Sequence, residues 1–198
     1  MQSVKIILIA GGSGTGKSTL AVSLCKKYPD KISLLHVDDY FKKKEEIPTL
    51  DGFANWDHPQ SLRFDDIFKD LTSLKNGESV KILTKSELYN PGFDRNLKNK
   101  IEYTVLPKPI IILEGFLSLA DERVRNISDH MIYLDLPIKE SIKRRSGNKF
   151  DVDPEYFSKV ILPMHRKFVE PSKKFANFVL DVSDLSSEEV FNKIEKII

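Results

Sequence analysis

The chain has 198 residues, with 31 Lys and Arg against 29 Asp and Glu and a net charge of +2. Both signs are mixed along its length, which excludes a dedicated nucleic-acid binder; the single cysteine, Cys25, excludes a disulfide framework and a cysteine-based zinc site. No apolar stretch nears the ~20 residues that span a bilayer, and the apolar start runs straight into glycines rather than a cleavage site, so a soluble cytoplasmic protein without a membrane partner is predicted.

Apolar runs of strand length alternate with helical patterns. Residues 4–10 read as a strand and 19–27 as a helix, with Leu20 and Leu24 on one face. Residues 32–37 are a second strand, ending at Asp38 and Asp39, and 60–75 a helix. In segment 79–106, residues 80–83 and 101–105 are expected to pair as an insertion hairpin. Strands follow at 110–113, ending at Glu114, at 131–135 and at 178–181. Helices are expected at 121–128, 138–146, 154–169 and 186–197. Near-continuous apolar strands with helices between them predict an α/β fold whose parallel sheet is covered on both faces.

The first strand ends in Gly11-Gly12-Ser13-Gly14-Thr15-Gly16-Lys17-Ser18, which fits G-x-x-x-x-G-K-[ST] at every fixed position. Here the chain is expected to turn backbone N–H groups onto phosphate oxygens at a helix N-terminus. Lys17 reaches the β- and γ-phosphates and the Ser18 hydroxyl ligates Mg²⁺ in such a loop. Gly11 through Ser18, with Thr19 after them, are the candidate ATP-binding residues of a P-loop NTPase fold.

Phosphoryl transfer to an alcohol also needs a carboxylate to take the hydroxyl proton. Asp38 and Asp39 are candidates at the end of the second strand. Glu114 stands where a strand-end acid holds Mg²⁺ or binds the acceptor. Asp57 is suited to a vicinal diol, and its neighbour Trp56 to stacking on a flat base. Arg144 and Arg145 close a basic helix ahead of Ser146-Gly147-Asn148, as arginines of a lid over the transferring phosphate. The four histidines are dispersed without metal-ligand spacing. Asn148-Lys149-Phe150-Asp151 mimics a guanine-reading motif, but follows a basic helix rather than a strand.

Taken together, these stretches resemble the uridine kinase / nicotinamide riboside kinase group of P-loop nucleoside kinases. The resemblance rests on Gly11–Ser18, Asp38-Asp39-Tyr40-Phe41-Lys42, Trp56-Asp57-His58-Pro59 and Leu113-Glu114-Gly115-Phe116-Leu117, with Arg144-Arg145-Ser146, Pro154-Glu155-Tyr156-Phe157 and Pro163-Met164 in the tail. It implies that Asp38 activates a ribose 5′-hydroxyl, Asp57 binds ribose hydroxyls and Trp56 stacks on the base. It further implies that Glu114 lies near metal and acceptor, that Arg144 and Arg145 serve the lid, and that Phe150 forms the other side of a base sandwich. The segment 88–95 lacks the pyrimidine-reading histidine usual in uridine kinases. The expectation is therefore one kinase domain over 1–198, with an insertion at about 79–106 and a lid at about 144–153. It would transfer the γ-phosphate of ATP, with Mg²⁺, to a small-molecule nucleoside; uridine, cytidine and nicotinamide riboside stay open, as do monomer and homo-oligomer. The alternatives are a kinase of another small alcohol, of sugar phosphate or pantothenate type, and a nucleotide-binding switch.

Overall fold

The computed structural model describes residues 4–92, 99–147 and 153–198. Five parallel strands form the central sheet: β1 (Lys5–Gly11), β2 (Ile32–His36), β7 (Ile110–Glu114), β8 (His130–Asp135) and β9 (Phe178–Asp181). Their order is β2-β7-β1-β8-β9. Short strands β3 (Thr49–Leu50) and β4 (Phe53–Ala54) form one antiparallel hairpin, and β5 (Val80–Thr84) and β6 (Ile101–Val105) another. The second is the expected insertion pairing. The first escapes the strand pattern because it is so short; its turn is Asp51-Gly52, both at positive φ, which a two-residue hairpin requires.

Alternate side chains of each central strand enter opposite cores, because successive residues point to opposite faces. On one face Ile6, Leu8, Leu35, Ile111, Leu113 and Tyr133 pack under helix α2 (Phe64–Lys75) and α3 (Glu122–Asn126). On the other, Ile7, Ile9, Leu34, Ile112, Ile132 and Leu134 pack against α1 (Lys17–Lys27) and the C-terminal helix (Ser187–Glu195). Cys25 lies in this second core. Two covered faces explain why the strands read as unbroken apolar runs.

Several helix boundaries differ from the sequence pattern. Helix α1 begins at Lys17, two residues early, because Gly16 caps it in the left-handed conformation at φ 86°. Helix α2 begins at Phe64 rather than 60. Residues Pro59–Ser61 form a separate 3₁₀ turn, and Leu62 bridges back to Phe41. Helix α4 (Ile138–Gly147) continues past Arg145 through Gly147, so the start of the expected lid is still helical.

The expected helix at 154–169 is a mixed run extending to Phe175. Within it, Phe157–Ile161 and His165–Val169 wind as π-helix, and Glu170–Phe175 as 3₁₀. The wider i→i+5 turn keeps every fourth residue on one side: Phe157, Ile161, His165 and Val169 all line the cleft described below. No described helix is long and apolar enough to cross a membrane.

Candidate active site

The loop after β1 must pass close to the sheet before turning into α1. Gly11 permits this: at φ 137°, a Cβ there would meet the Leu134 carbonyl oxygen at 2.2 Å. Lys17 is buried, and its ammonium donates to the Gly12 carbonyl at 2.7 Å and to Thr15 Oγ1 at 3.4 Å. Thr15 Oγ1 in turn donates to the Gly12 carbonyl at 2.9 Å. The first-turn N–H groups of α1 and this ammonium make the loop an anion cradle.

The neighbouring strand ends bring the acids to it. β2 and β7 run in parallel register, with His36 opposite Glu114. Gly115 lets the two strand ends close up, since a Cβ there would meet Val37 Cβ at 2.5 Å. Glu114 is buried, and its Oε1 accepts from Ser18 Oγ at 3.0 Å. His36 Nδ1 lies 2.6 Å from the same oxygen, and His36 Nε2 lies 2.7 Å from Ser86 Oγ, on the segment after β5. Burial alone would push this imidazole down, but the adjacent carboxylate outweighs it and holds the ring above its ordinary value. The reciprocal holds for Glu114: burial acts to raise its pKa, and the bonds and charge of His36, with Lys17 and Ser18, depress it. His36 is a site residue that spacing along the chain did not reveal. Its signal is positional: it closes an apolar strand two residues before Asp38.

The adjacent acids Asp38 and Asp39 lie in different surroundings. Asp38 lines the cleft with Lys17, Ser18 and Glu114. Burial pushes its carboxyl above the ordinary value, opposed first by the charge of Lys85. Asp39 is buried and does not line this cleft; its Oδ1 accepts from the Lys85 backbone N–H at 3.3 Å, and its Oδ2 has no hydrogen-bond partner among the described residues.

The opposite wall holds Trp56 and Asp57, in the segment that follows β4. Trp56 is not a core residue. It stands half-buried with its ring edge-on to Phe41, centroids 5.4 Å apart at 87°. Asp57 Oδ2 accepts from Tyr156 Oη at 3.3 Å. Asn55, buried behind them, donates to Met164 Sδ at 3.3 Å and so ties this segment to the mixed helical run. His165, a second unexpected residue, reaches the phosphate loop: its Cε1 is 3.0 Å from where a Gly12 Cβ would stand. The cleft between these walls measures about 560 Å³, within the range of small-ligand sites.

A second cleft of about 550 Å³ opens on the other side of the phosphate loop, lined by Gly14, Thr19, Arg144, Leu185 and Phe191 among others. Arg144 donates to the carbonyls of Val182 at 2.8 Å and Ser183 at 2.9 Å. It also donates to the Gly14 carbonyl of the phosphate loop at 3.5 Å, and it lines this cleft rather than the one holding Asp38. Phe150, the rest of the 148–151 motif, and the side chain of Arg145 lie outside the described residues, as do Phe93, Asp94 and Arg95.

Among the described residues, no group of three or more His, Cys, Asp and Glu is placed to hold a metal by itself. The Ser18 hydroxyl and Glu114 carboxylate are nonetheless adjacent hard oxygen donors beside an anion cradle. That set fits Mg²⁺, which takes one or two protein oxygens and completes its shell with phosphate and water.

This arrangement has counterparts. A model of the phosphoribulokinase / uridine kinase family matches residues 6–184. A uridine kinase of Clostridium perfringens is 34% identical over 191 residues, covering 91% of this chain and 88% of its own. A uridine kinase of Chlamydia pneumoniae is 29% identical over 211 residues, covering 98% and 92%. Among solved structures, a possible uridine kinase from Bacillus stearothermophilus superposes with a TM-score of 0.64 at 20% identity, covering 91% of this chain and 90% of that one. Phosphoribulokinase from Rhodobacter spheroides does so with a TM-score of 0.59 at 9% identity, covering 93% and 74%; these two likenesses speak to fold alone. With the family pattern running through nearly the whole chain, from the first strand to the loop before the last helix, the protein belongs to the phosphoribulokinase / uridine kinase family.

Proposed function

We propose that the chain is an ATP-dependent nucleoside kinase of the uridine kinase type, transferring the γ-phosphate of ATP to the ribose 5′-hydroxyl. The observation that carries this reading is one cleft lined by phosphate-loop residues, a partly exposed aspartate, and an aromatic–carboxylate pair on the facing wall. The names of the relatives agree with it.

In this reading ATP lays its phosphates on Gly11 to Thr19 and its base in the second cleft, beside Arg144 and Phe191. The nucleoside lies between Trp56, against its base, and Asp57, on its ribose hydroxyls. Asp38 takes the 5′-hydroxyl proton as that oxygen bonds the γ-phosphorus. The bond from the γ-phosphorus to the β,γ-bridging oxygen breaks, and ADP leaves. Lys17 stabilises the charge that develops on the moving group. Mg²⁺, when bound, neutralises phosphate charge, and Ser18 and Glu114 are the residues that would hold it. The chain acts as one domain over 1–198, with an insertion at about 79–106 and a lid at about 144–153.

The test is ATP consumption with Mg²⁺ against uridine, cytidine, adenosine, nicotinamide riboside and non-nucleoside alcohols, with products read by mass spectrometry. A nucleoside 5′-monophosphate, formed only with acceptor present, is the expected result. Phosphorylation of a sugar phosphate or pantothenate instead would overturn the roles of Trp56 and Asp57. ATP hydrolysis indifferent to every acceptor would favour a switch.

A further inference from the structure

Four side chains form a continuous hydrogen-bonded chain across the site, from exposed Ser18 through buried Glu114 and His36 to buried Ser86. Its links are 3.0, 2.6 and 2.7 Å, and the three residues beyond Ser18 are each no more than 9% exposed. It starts on the first turn of α1 and ends beyond β5, on the insertion. Both hydrogen bonds to the carboxylate fall on the same oxygen, Oε1.

We propose that His36 is a positioning residue for the phosphoryl-transfer site: it commits one oxygen of Glu114 to the protein, leaves Oε2 to the metal–phosphate side, and anchors that arrangement to the insertion through Ser86. The inference rests on the kinase reading above and extends it to a residue outside the nucleotide-binding motif.

The physical case is one of orientation. A glutamate has three side-chain torsions, and Ser18 alone leaves its carboxylate free to swing about a single bond. A second donor on the same oxygen fixes the plane of the group. The ring can supply that donor because Ser86 holds its far nitrogen, so the imidazole cannot rotate without losing a buried partner. The backbone enforces the meeting: His36 and Glu114 are register partners on adjacent parallel strands, with Gly115 letting Val37 close over the end of β7. Loss of comparable groups behind metal-holding side chains weakens metal affinity by about 10–100-fold.

The test uses Mn²⁺ as probe, in complex with the full chain and a non-hydrolysable ATP analogue, read by electron paramagnetic resonance. No acceptor is needed, so the outcome stands apart from nucleoside kinase activity. If the parent enzyme phosphorylates no nucleoside, the functional reading fails while this measurement still decides the role of His36.

His36→Leu is expected to weaken Mn²⁺ affinity about 10-fold or more. His36→Asn, whose amide keeps a donor towards Glu114, should restore affinity to within about threefold of the parent. In a Glu114→Gln background, His36→Leu should add less than about twofold, because the residue acts through Glu114. Ser86→Ala, which leaves the ring in place but releases its far nitrogen, should cost about threefold or more. Parent-like Mn²⁺ affinity in His36→Leu overturns the proposal, and so does a His36→Leu loss that persists in full when Glu114 is already Gln. Should His36→Leu fail to fold, Ser86→Ala decides: parent-like affinity there overturns it as well.

Discussion

Ser18 donates its hydroxyl to Glu114 Oε1 over 3.0 Å, joining the first turn of α1 to the carboxyl end of β7 across 96 positions of the chain. The pair marks where metal and phosphate charge would be held. Glu114→Gln keeps the shape and a hydrogen-bond acceptor but removes the negative charge. The Mg²⁺ concentration for half-maximal rate should rise about 10–100-fold, with nucleoside KM little changed. Initial rates across a Mg²⁺ titration check this, and an unaltered midpoint would remove Glu114 from metal binding.

The two adjacent aspartates separate cleanly by experiment. Asp38→Asn cannot accept the hydroxyl proton, so kcat should fall about 10²–10⁴-fold while ATP binding persists. Asp39→Asn changes a buried carboxylate whose Oδ2 has no partner among the described residues; its amide loses no bond to that atom, and kcat should stay within about threefold. Steady-state kinetics of both variants are the measurement. A collapse in Asp39→Asn with Asp38→Asn active would exchange their roles.

Much of this site was legible before folding, and the unread parts share a cause. The phosphate loop declares itself because every residue that builds it is contiguous, as are Asp38 beside β2 and Trp56-Asp57. His36 escapes the sequence pattern because its meaning comes from register: only when β2 and β7 lie side by side does it face Glu114. The stripe Phe157, Ile161, His165 and Val169 reads as part of an ordinary helix, since nothing in the local pattern distinguishes π winding from α. The β3–β4 hairpin left a signal in Asp51-Gly52 between apolar residues, too short to register as a strand pair. Arg144 reads as a lid arginine by its position in a basic run; what the run does not show is that carbonyls of the loop after β9 and of Gly14 hold it beside the second cleft.

The raised pKa of Asp38 sets the direction of two pH effects. In its proposed role as base it works only when ionised, so the rate should decline as pH falls through a value above the ordinary 3.8. For stability the sign reverses from the usual carboxylate. The folded state favours the protonated form, so ionisation costs stability as pH rises through that raised value. Asp38→Asn, nearly inactive, should therefore melt no lower than the parent at neutral pH. Thermal melts beside a pH–rate profile test both; a variant melting several degrees lower would mean the carboxylate carries a structural load instead.

Cys25 lies in the second core and its thiol is pushed up to about 11 by burial, only partly offset by the charge of Lys108. The thiolate is the reactive form, and at neutral pH very little of it exists here. Native protein should react with a disulfide reagent far more slowly than a free thiol, and with one equivalent at once when denatured. Rapid native labelling would show that α1 opens from the sheet more readily than its packing implies.

Trp56 and Asp57 are neighbours in the segment after β4, yet the proposed mechanism asks different things of them. Trp56 is held by the edge-on ring of Phe41, so its indole meets an incoming base with little ordering left to do. Removing a stacking partner costs about 1–3 kcal/mol by alanine substitution, so Trp56→Ala should raise nucleoside KM about 5–150-fold. Since the contact is made equally before and during transfer, kcat should change far less. Asp57→Ala removes the acceptor proposed for two ribose hydroxyls and leaves Tyr156 Oη without that partner. It should raise KM and lower kcat together, because the ribose then presents its 5′-oxygen to Asp38 less well. A 2′-deoxy acceptor gives the independent check: it should be poorer than its ribose counterpart with the parent enzyme and nearly equal to it with Asp57→Ala. Equal discrimination by both proteins would move ribose recognition to another residue.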